Sequence, residues 1–283
     1  MTIEKTTAKI GLEKPVKILH VSDTHLTCAD GRDNARKQLL GIRRKKDFDD
    51  VNGSVERYLN EMVTYAKENC DVLVHTGDLI DFVSEANLDA ARRAIDEGNW
   101  LFISGNHEFS QYVGEAYEDE NYKMNAFRQV RSGLGVDLLY SSKVVGGVNI
   151  IGIDNSYYQF ENWHLERVKI EAEKGLPMIL CMHTPLYTTD LYEARMKAHN
   201  GLCSYLVGCD ERHLMAYDEW RAVQQRPTKD TLKFIDYVMN QPLIKCVLAG
   251  HIHEPYEGPL ANGIMQYVAG GGYTGYAREL TLM

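Results

Sequence analysis

Short apolar runs rich in β-branched residues alternate along the chain with longer amphipathic stretches. Residues 16–21, 72–76, 100–103, 148–153, 178–182, 244–249 and 263–269 read as strands. Between the first two, Val55, Tyr58, Leu59, Met62, Val63 and Ala66 recur at i, i+3, i+4 and i+7, the spacing of one helix face. Ser84 is placed to cap a second helix that carries Leu88, Ala91 and Ile95 on one side. Further helices are expected over about 114–131, over 162–174 up to Gly175, and over 229–240 before Pro242. Strands alternating with helices predict an α/β fold, with the strands buried between helical layers.

Two stretches interrupt the alternation. Residues 28–50 hold Arg32, Arg36, Lys37, Arg43, Arg44, Lys45 and Lys46, and residues 185–228 form a long connection rich in tyrosine, histidine and charge. Both read as insertions, and segments of such length are often functional. The basic cluster at 32–46 is either a solvated loop or helix or a flap that attracts an anion. The 283 residues hold 40 acidic against 31 basic side chains, a net charge of -9, which argues against coating nucleic acid by bulk electrostatics. No apolar run is long enough to span a bilayer. The first residues, MTIEKTTAKIGLEKP, contain no apolar signal core, and the six cysteines are scattered without a CxxC pair. The expectation is a cytoplasmic protein with Cys181 and Cys246 as buried hydrophobes and no thiolate-held zinc.

Polar residues gather at the ends of the predicted strands. Ser22-Asp23-Thr24-His25, Gly77-Asp78-Leu79-Ile80-Asp81, Ser104-Gly105-Asn106-His107-Glu108, His183-Thr184-Pro185 and Gly250-His251-Ile252-His253 each follow one. Ligands of α/β sheets collect beyond those ends. Imidazoles, carboxylates and an amide suit divalent zinc, manganese or iron. Asp23/His25 and His251/His253 are i, i+2 pairs, whose side chains lean the same way if the backbone is extended. With Asp78 as a bridging carboxylate, they have the makings of a site for two cations about 3.5–4 Å apart. The glycines at 77, 105 and 250 are expected to allow sharp turns and close approach.

Taken together, Asp23-Thr24-His25, Gly77-Asp78, Gly105-Asn106-His107-Glu108, His183 and Gly250-His251-Ile252-His253 resemble the full signature of the calcineurin-like metallophosphoesterase superfamily. The resemblance implies a four-layer αββα sandwich, with two mixed sheets flanked by helices and a dinuclear metal site at the carboxyl ends of the strands. It also implies one domain over residues 1–283. Asp23, His25 and His253 would bind the first metal, and Asn106, His183 and His251 the second, with Asp78 bridging both. The metals would be two divalent ions of manganese, iron or zinc. A hydroxide held between them would attack a small-molecule phosphomonoester or phosphodiester, with His107 stabilising a phosphoryl oxygen or protonating the leaving group.

Other members of this superfamily are nucleases, protein phosphatases or non-catalytic scaffolds, and these are the alternatives. Asp81 lies where the serine/threonine phosphatases orient the equivalent of His107, and is expected to accept a proton from that ring. Phe82-Val83 replaces their arginine-glycine, and the tyrosine ligand of the purple acid phosphatases is missing at position 81. Glu108 is expected to support the site, and Asn155 to serve a turn. His20 and His75 read as core histidines, and His164, His199 and His213 as solvated. Tyr187 and Tyr192 are expected to pack within the insertion, and the glycines at 270–272 to form a tight turn.

Overall fold

The computed structural model describes residues 1–49, 53–114, 118–198 and 200–283. Its strands are β1 (Thr2–Ala8), β2 (Val16–Val21), β3 (Val72–His75), β4 (Trp100–Phe102), β5 (Tyr140–Val145) and β6 (Val148–Ile153). They continue with β7 (Met178–Cys181), β8 (Ile244–Ala249), β9 (Tyr256–Pro259), β10 (Met265–Val268) and β11 (Tyr276–Leu282). One sheet has the order β1-β11-β2-β3-β4 and the other β5-β6-β7-β8-β10-β9. β2, β3 and β4 run parallel, as do β6, β7, β8 and β10, while β11 is antiparallel to β2, and β5 and β9 are antiparallel to their neighbours.

The sheets face each other across Ile18, Val74, Ile103, Ile150, Ile179 and Leu248, which pack in one buried cluster. A strand covered on both faces needs apolar residues at consecutive positions, and β3, β6 and β7 are buried throughout. On the outer face of the first sheet lie α2 (Ser54–Asn69), α3 (Glu85–Asp96) and α4 (Glu120–Leu134), whose apolar stripes pack on Leu19, Val21, Leu73 and Phe102. α5 (Asn162–Ala172) and α9 (Lys229–Asn240) cover the second sheet through Leu165, Val168, Phe234 and Val238. The result is the expected sandwich of two mixed sheets between helices.

Both interruptions contain helices: α1 (Ala35–Phe48) in the first, and α6 (Thr189–Ala198), α7 (Glu211–Leu214) and α8 (Glu219–Gln225) in the second. α4 begins later than expected because the Asp119 side chain accepts from Tyr122 N–H and caps it there, and it runs on to Gly135, which adopts φ +65°. Residues 115–117 of the expected helix lie outside the described residues. Among the described residues no helix is long and apolar enough to cross a membrane.

Candidate metal centre

The loops that follow β2, β3, β4, β7 and β8 converge and bring the seven expected ligands together. The backbone that does so is not extended. At Asp23, His25, His251 and His253, φ is 53°, 52°, 69° and 58°, and at Asp78 it is 55°. The i, i+2 pairs therefore face the same way through left-handed turns rather than through strand alternation. Such conformations cost of order 1–3 kcal/mol each for non-glycine residues and persist only where the surroundings impose them. Here Asp23 N–H donates to Gly77 C=O, His25 N–H to Asp78 C=O (both 2.9 Å) and Gly250 N–H to His183 C=O (2.8 Å). The buried Glu108 carboxylate accepts from the N–H groups of Asp78, Leu79, Ile80 and Gly105 at 2.6–3.1 Å, the supporting role expected of it. A Cβ on Gly105 would stand 2.2 Å from Asp78 Oδ1, and one on Gly250 would stand 1.7 Å from Ser22 Oγ. Both positions require glycine.

Asp23, His25, Asp78 and His253 present ligand atoms within 4.8 Å of one another, and so do Asp78, His183 and His251. Asp78 belongs to both groups: its Oδ2 lies 3.3 Å from His183 Nε2 and 3.8 Å from His25 Nε2. Asn106 Oδ1 joins the second group, 3.2 Å from His183 Nε2.

The outer nitrogens decide what faces inward. His183 Nδ1 lies 2.7 Å from Thr76 C=O, and His25 Nδ1 lies 3.1 Å from the Asp81 carboxylate. Both partners only accept, so these nitrogens carry the protons and leave the two Nε2 lone pairs pointing into the site. His25 Nε2 then confronts His253 Nε2 at 3.0 Å, and His183 Nε2 confronts His251 Nδ1 at 3.1 Å. Lone pairs, carboxylate oxygens and an amide oxygen gathered this closely, with few protons to share, form a donor set that fits divalent cations.

His107 stands at the rim with its side chain 16% exposed. Its Nδ1 lies 2.7 Å from the backbone carbonyl of Asp81 and 3.2 Å from Oδ1 of the same residue. Asp81 thus meets His107 as expected, more closely through its main chain than through its carboxylate. Burial alone would lower the His107 pKa, but the Asp78 and Asp81 carboxylates override it and push it up to about 10. Burial would raise Asp81, yet Arg44 and the two imidazoles hold it well below the usual carboxylate range.

A model of the calcineurin-like phosphoesterase family matches residues 16–255. The chain belongs to this family. With it comes its broad chemistry, metal-dependent hydrolysis of phosphoester bonds. Among solved structures, a purple acid phosphatase from yellow lupin (Lupinus luteus) seeds is 13% identical with a TM-score of 0.54, the match covering 93% of this chain and 45% of that one. A dimetal phosphatase from Danio rerio is 14% identical with a TM-score of 0.50, covering 91% of this phosphoesterase and 88% of the fish protein. At such identities the likeness is one of fold. No curated protein sequence gives a significant match.

Several residues around this phosphoesterase's site carry no motif. Arg44 of α1 binds Asp81, and Phe48 of the same helix stacks on His25 with centroids 4.2 Å apart and planes 3° from parallel. Tyr158 Oη lies 2.9 Å from His251 Nε2, and Asn106 Nδ2 donates to Glu118 Oε1 at 3.3 Å. Asn155 does more than turn the chain: its Oδ1 accepts from His183 and Thr184 N–H, both at 2.9 Å, and so fixes the loop that presents His183.

His75 is a satisfied core histidine, with Thr24 Oγ1 and Gly77 N–H as partners, whereas the equally buried His20 has Thr76 Oγ1 on Nε2 and, among the described residues, no partner on Nδ1. His164 is buried rather than solvated, because its Nδ1 accepts from Glu161 N–H in a capping box at the start of α5. Tyr192 stacks on His213 within the insertion, with Tyr187 beside them. His199 lies outside the described residues. The glycine turn ends β10 and ties the sheets together, Gly272 N–H donating to Ser22 C=O and Tyr273 N–H to Asp23 C=O.

Proposed function

We propose that this phosphoesterase hydrolyses a phosphomonoester or phosphodiester of a small molecule, using two divalent cations of manganese, iron or zinc. Asp23, His25 and His253 hold one cation, Asn106, His183 and His251 hold the other, and Asp78 is shared. The observation that carries this reading is the pair of inward-facing nitrogen contacts, His25–His253 and His183–His251, with Asp78 Oδ2 between them. When bound, the cations supply an activated water and neutralise charge on the phosphoryl oxygens.

The chain's own residues orient and move the proton. Asp81 accepts from His25 Nδ1 and fixes which nitrogen faces the cation. Thr76 C=O does the same for His183. His107, held at Nδ1 by Asp81, keeps Nε2 for the substrate, and the neighbouring Asp81 carboxylate favours the acid form that protonates the departing alkoxide. The shared site between the two sheets supports reading residues 1–283 as one domain, and six unpaired thiols support a reducing, cytoplasmic setting.

The test is a metal-by-substrate screen. The protein is loaded with manganese, iron or zinc and offered p-nitrophenyl phosphate, its bis ester, nucleotides, cyclic nucleotides and single-stranded DNA. Hydrolysis of a small phosphoester, abolished by chelator and restored by metal, is expected. Hydrolysis of DNA alone, or of nothing, would overturn the reading.

A further inference from the structure

We infer that Arg221, on α8, forms a subsite for a second phosphate of the substrate, beside the phosphoryl group that is cleaved. The inference rests on the reading above and narrows its substrate class to esters that carry two phosphate groups.

Two independent lines connect Arg221 to the Asn106/His251 half of the site. Its Nη1 donates to Gln224 Oε1 at 2.9 Å, Gln224 Nε2 donates to Glu118 C=O, and Glu118 Oε1 accepts from Asn106 Nδ2, the last two at 3.3 Å. On the other side the guanidinium lies 5.1 Å from the centre of the Tyr205 ring, which stands edge-on to His251 with centroids 6.0 Å apart. Tyr205 is itself held at φ 57°, a conformation a tyrosine adopts only under constraint.

The guanidinium is both positioned and available. Its Cζ lies 3.7 Å from the centre of the Trp220 ring, so aromatic contacts to Trp220 and Tyr205 hold the charge in place. Arg32, Arg44, Arg195, Arg226 and Arg278 each meet a carboxylate at 2.6–2.9 Å. Among the described residues Arg221 meets none within ion-pair distance; its one hydrogen-bond partner is the neutral Gln224. In an acidic protein, an unneutralised arginine with a preset fork beside a phosphoester site matches a phosphate, which accepts two parallel N–H bonds. The leaving group therefore extends from the second-cation half toward α8 and carries its other phosphate there.

The test compares adenosine 5′-monophosphate with adenosine 3′,5′-bisphosphate, and measures binding of inorganic pyrophosphate and orthophosphate to the metal-loaded protein by calorimetry. The wild type is expected to prefer the bisphosphate in kcat/KM by about tenfold or more. Arg221→Ala should reduce that ratio about tenfold, mainly through KM, and Arg221→Lys, which keeps charge but loses the fork, should fall between. Pyrophosphate affinity should weaken about tenfold more than orthophosphate affinity in Arg221→Ala. Equal losses for both substrates and both anions, or a wild type indifferent to the second phosphate, would overturn the inference while leaving the phosphoesterase reading intact. If neither nucleotide is hydrolysed with any cation, the broader reading is in question, and the pyrophosphate comparison still decides the subsite.

Discussion

Arg44 grips the buried carboxylate of Asp81 with two hydrogen bonds, Nε to Oδ2 at 2.6 Å and Nη2 to Oδ1 at 2.9 Å. That carboxylate also receives His25 Nδ1 and lies against His107, so the arginine sets the anion that orients both rings. From the same helix, Phe48 presses on the face of His25. Arg44→Ala should lower affinity at the His25 cation site, and with it turnover, by about 10–100-fold, the usual effect of losing an outer partner of a metal ligand. It should also destabilise the fold by about 2–4 kcal/mol, since Asp81 stays buried without its counter-charge. Arg44→Lys should restore part of the affinity. Calorimetric titration with manganese checks this, and unchanged affinity in Arg44→Ala would reduce the contact to packing.

The part proposed for His107 is different, that of a general acid facing the substrate rather than a cation ligand. His107→Ala should lower kcat by about 10²–10⁴-fold, the range of a lost general acid, with bound metal near the wild-type level. Elemental analysis beside steady-state kinetics separates the two effects. A variant that loses its metal would place His107 among the ligands instead.

The parts of this molecule that could be read from the chain are those where chemistry or burial constrains consecutive residues. β6 shows as VNIIGI because both its faces are covered, and the site residues show because each follows such a strand. β1, β5 and β9 escape notice because they are half-exposed strands at sheet edges, with residues such as threonine, lysine, serine, glutamate or proline at the open positions. β11 escapes because Arg278 and Glu279 interrupt it. Arg278 is buried against Glu4 and Glu257, and Glu279 meets Lys5 and Lys17, pairings that no local pattern announces. α1 offers no apolar stripe, since only Lys37, Leu40 and Gly41 are buried in it, and it meets the site through one charge, Arg44, and one ring, Phe48, near its end. Arg44 and Tyr158 meet the site through partners far away in sequence, Asp81 and His251, and periodicity carries no record of them.

Asp78 is the one residue common to both ligand clusters, and this makes a prediction about stoichiometry. Asp78→Asn should reduce bound metal from two ions to one or fewer per chain and abolish turnover. Asp23→Asn removes a carboxylate ligand from the first cluster alone and keeps an oxygen to accept His251 N–H, so it should spare the ion held by Asn106, His183 and His251. Metal analysis after dialysis distinguishes them. Two ions retained in Asp78→Asn would rule out the shared position.

His20 and His75 link stability to pH. Burial, aided at His20 by Arg278, lowers both to about 3, against about 6.5 in an unfolded chain. Below pH 6.5 the unfolded chain takes up a proton at each ring that the folded one refuses, so unfolding is favoured. This contribution is therefore whole above about pH 6.5 and is lost progressively as pH falls toward 3. His20→Gln removes one of the two protons from the difference. Between about pH 6 and 4 its stability should fall less steeply than that of the wild type, by about 1.4 kcal/mol per pH unit. Urea unfolding at several pH values, with both proteins at the same metal load, measures the two slopes. Parallel slopes would mean that His20 is protonated inside the folded protein, where its Nδ1 has no partner among the described residues to accept that proton.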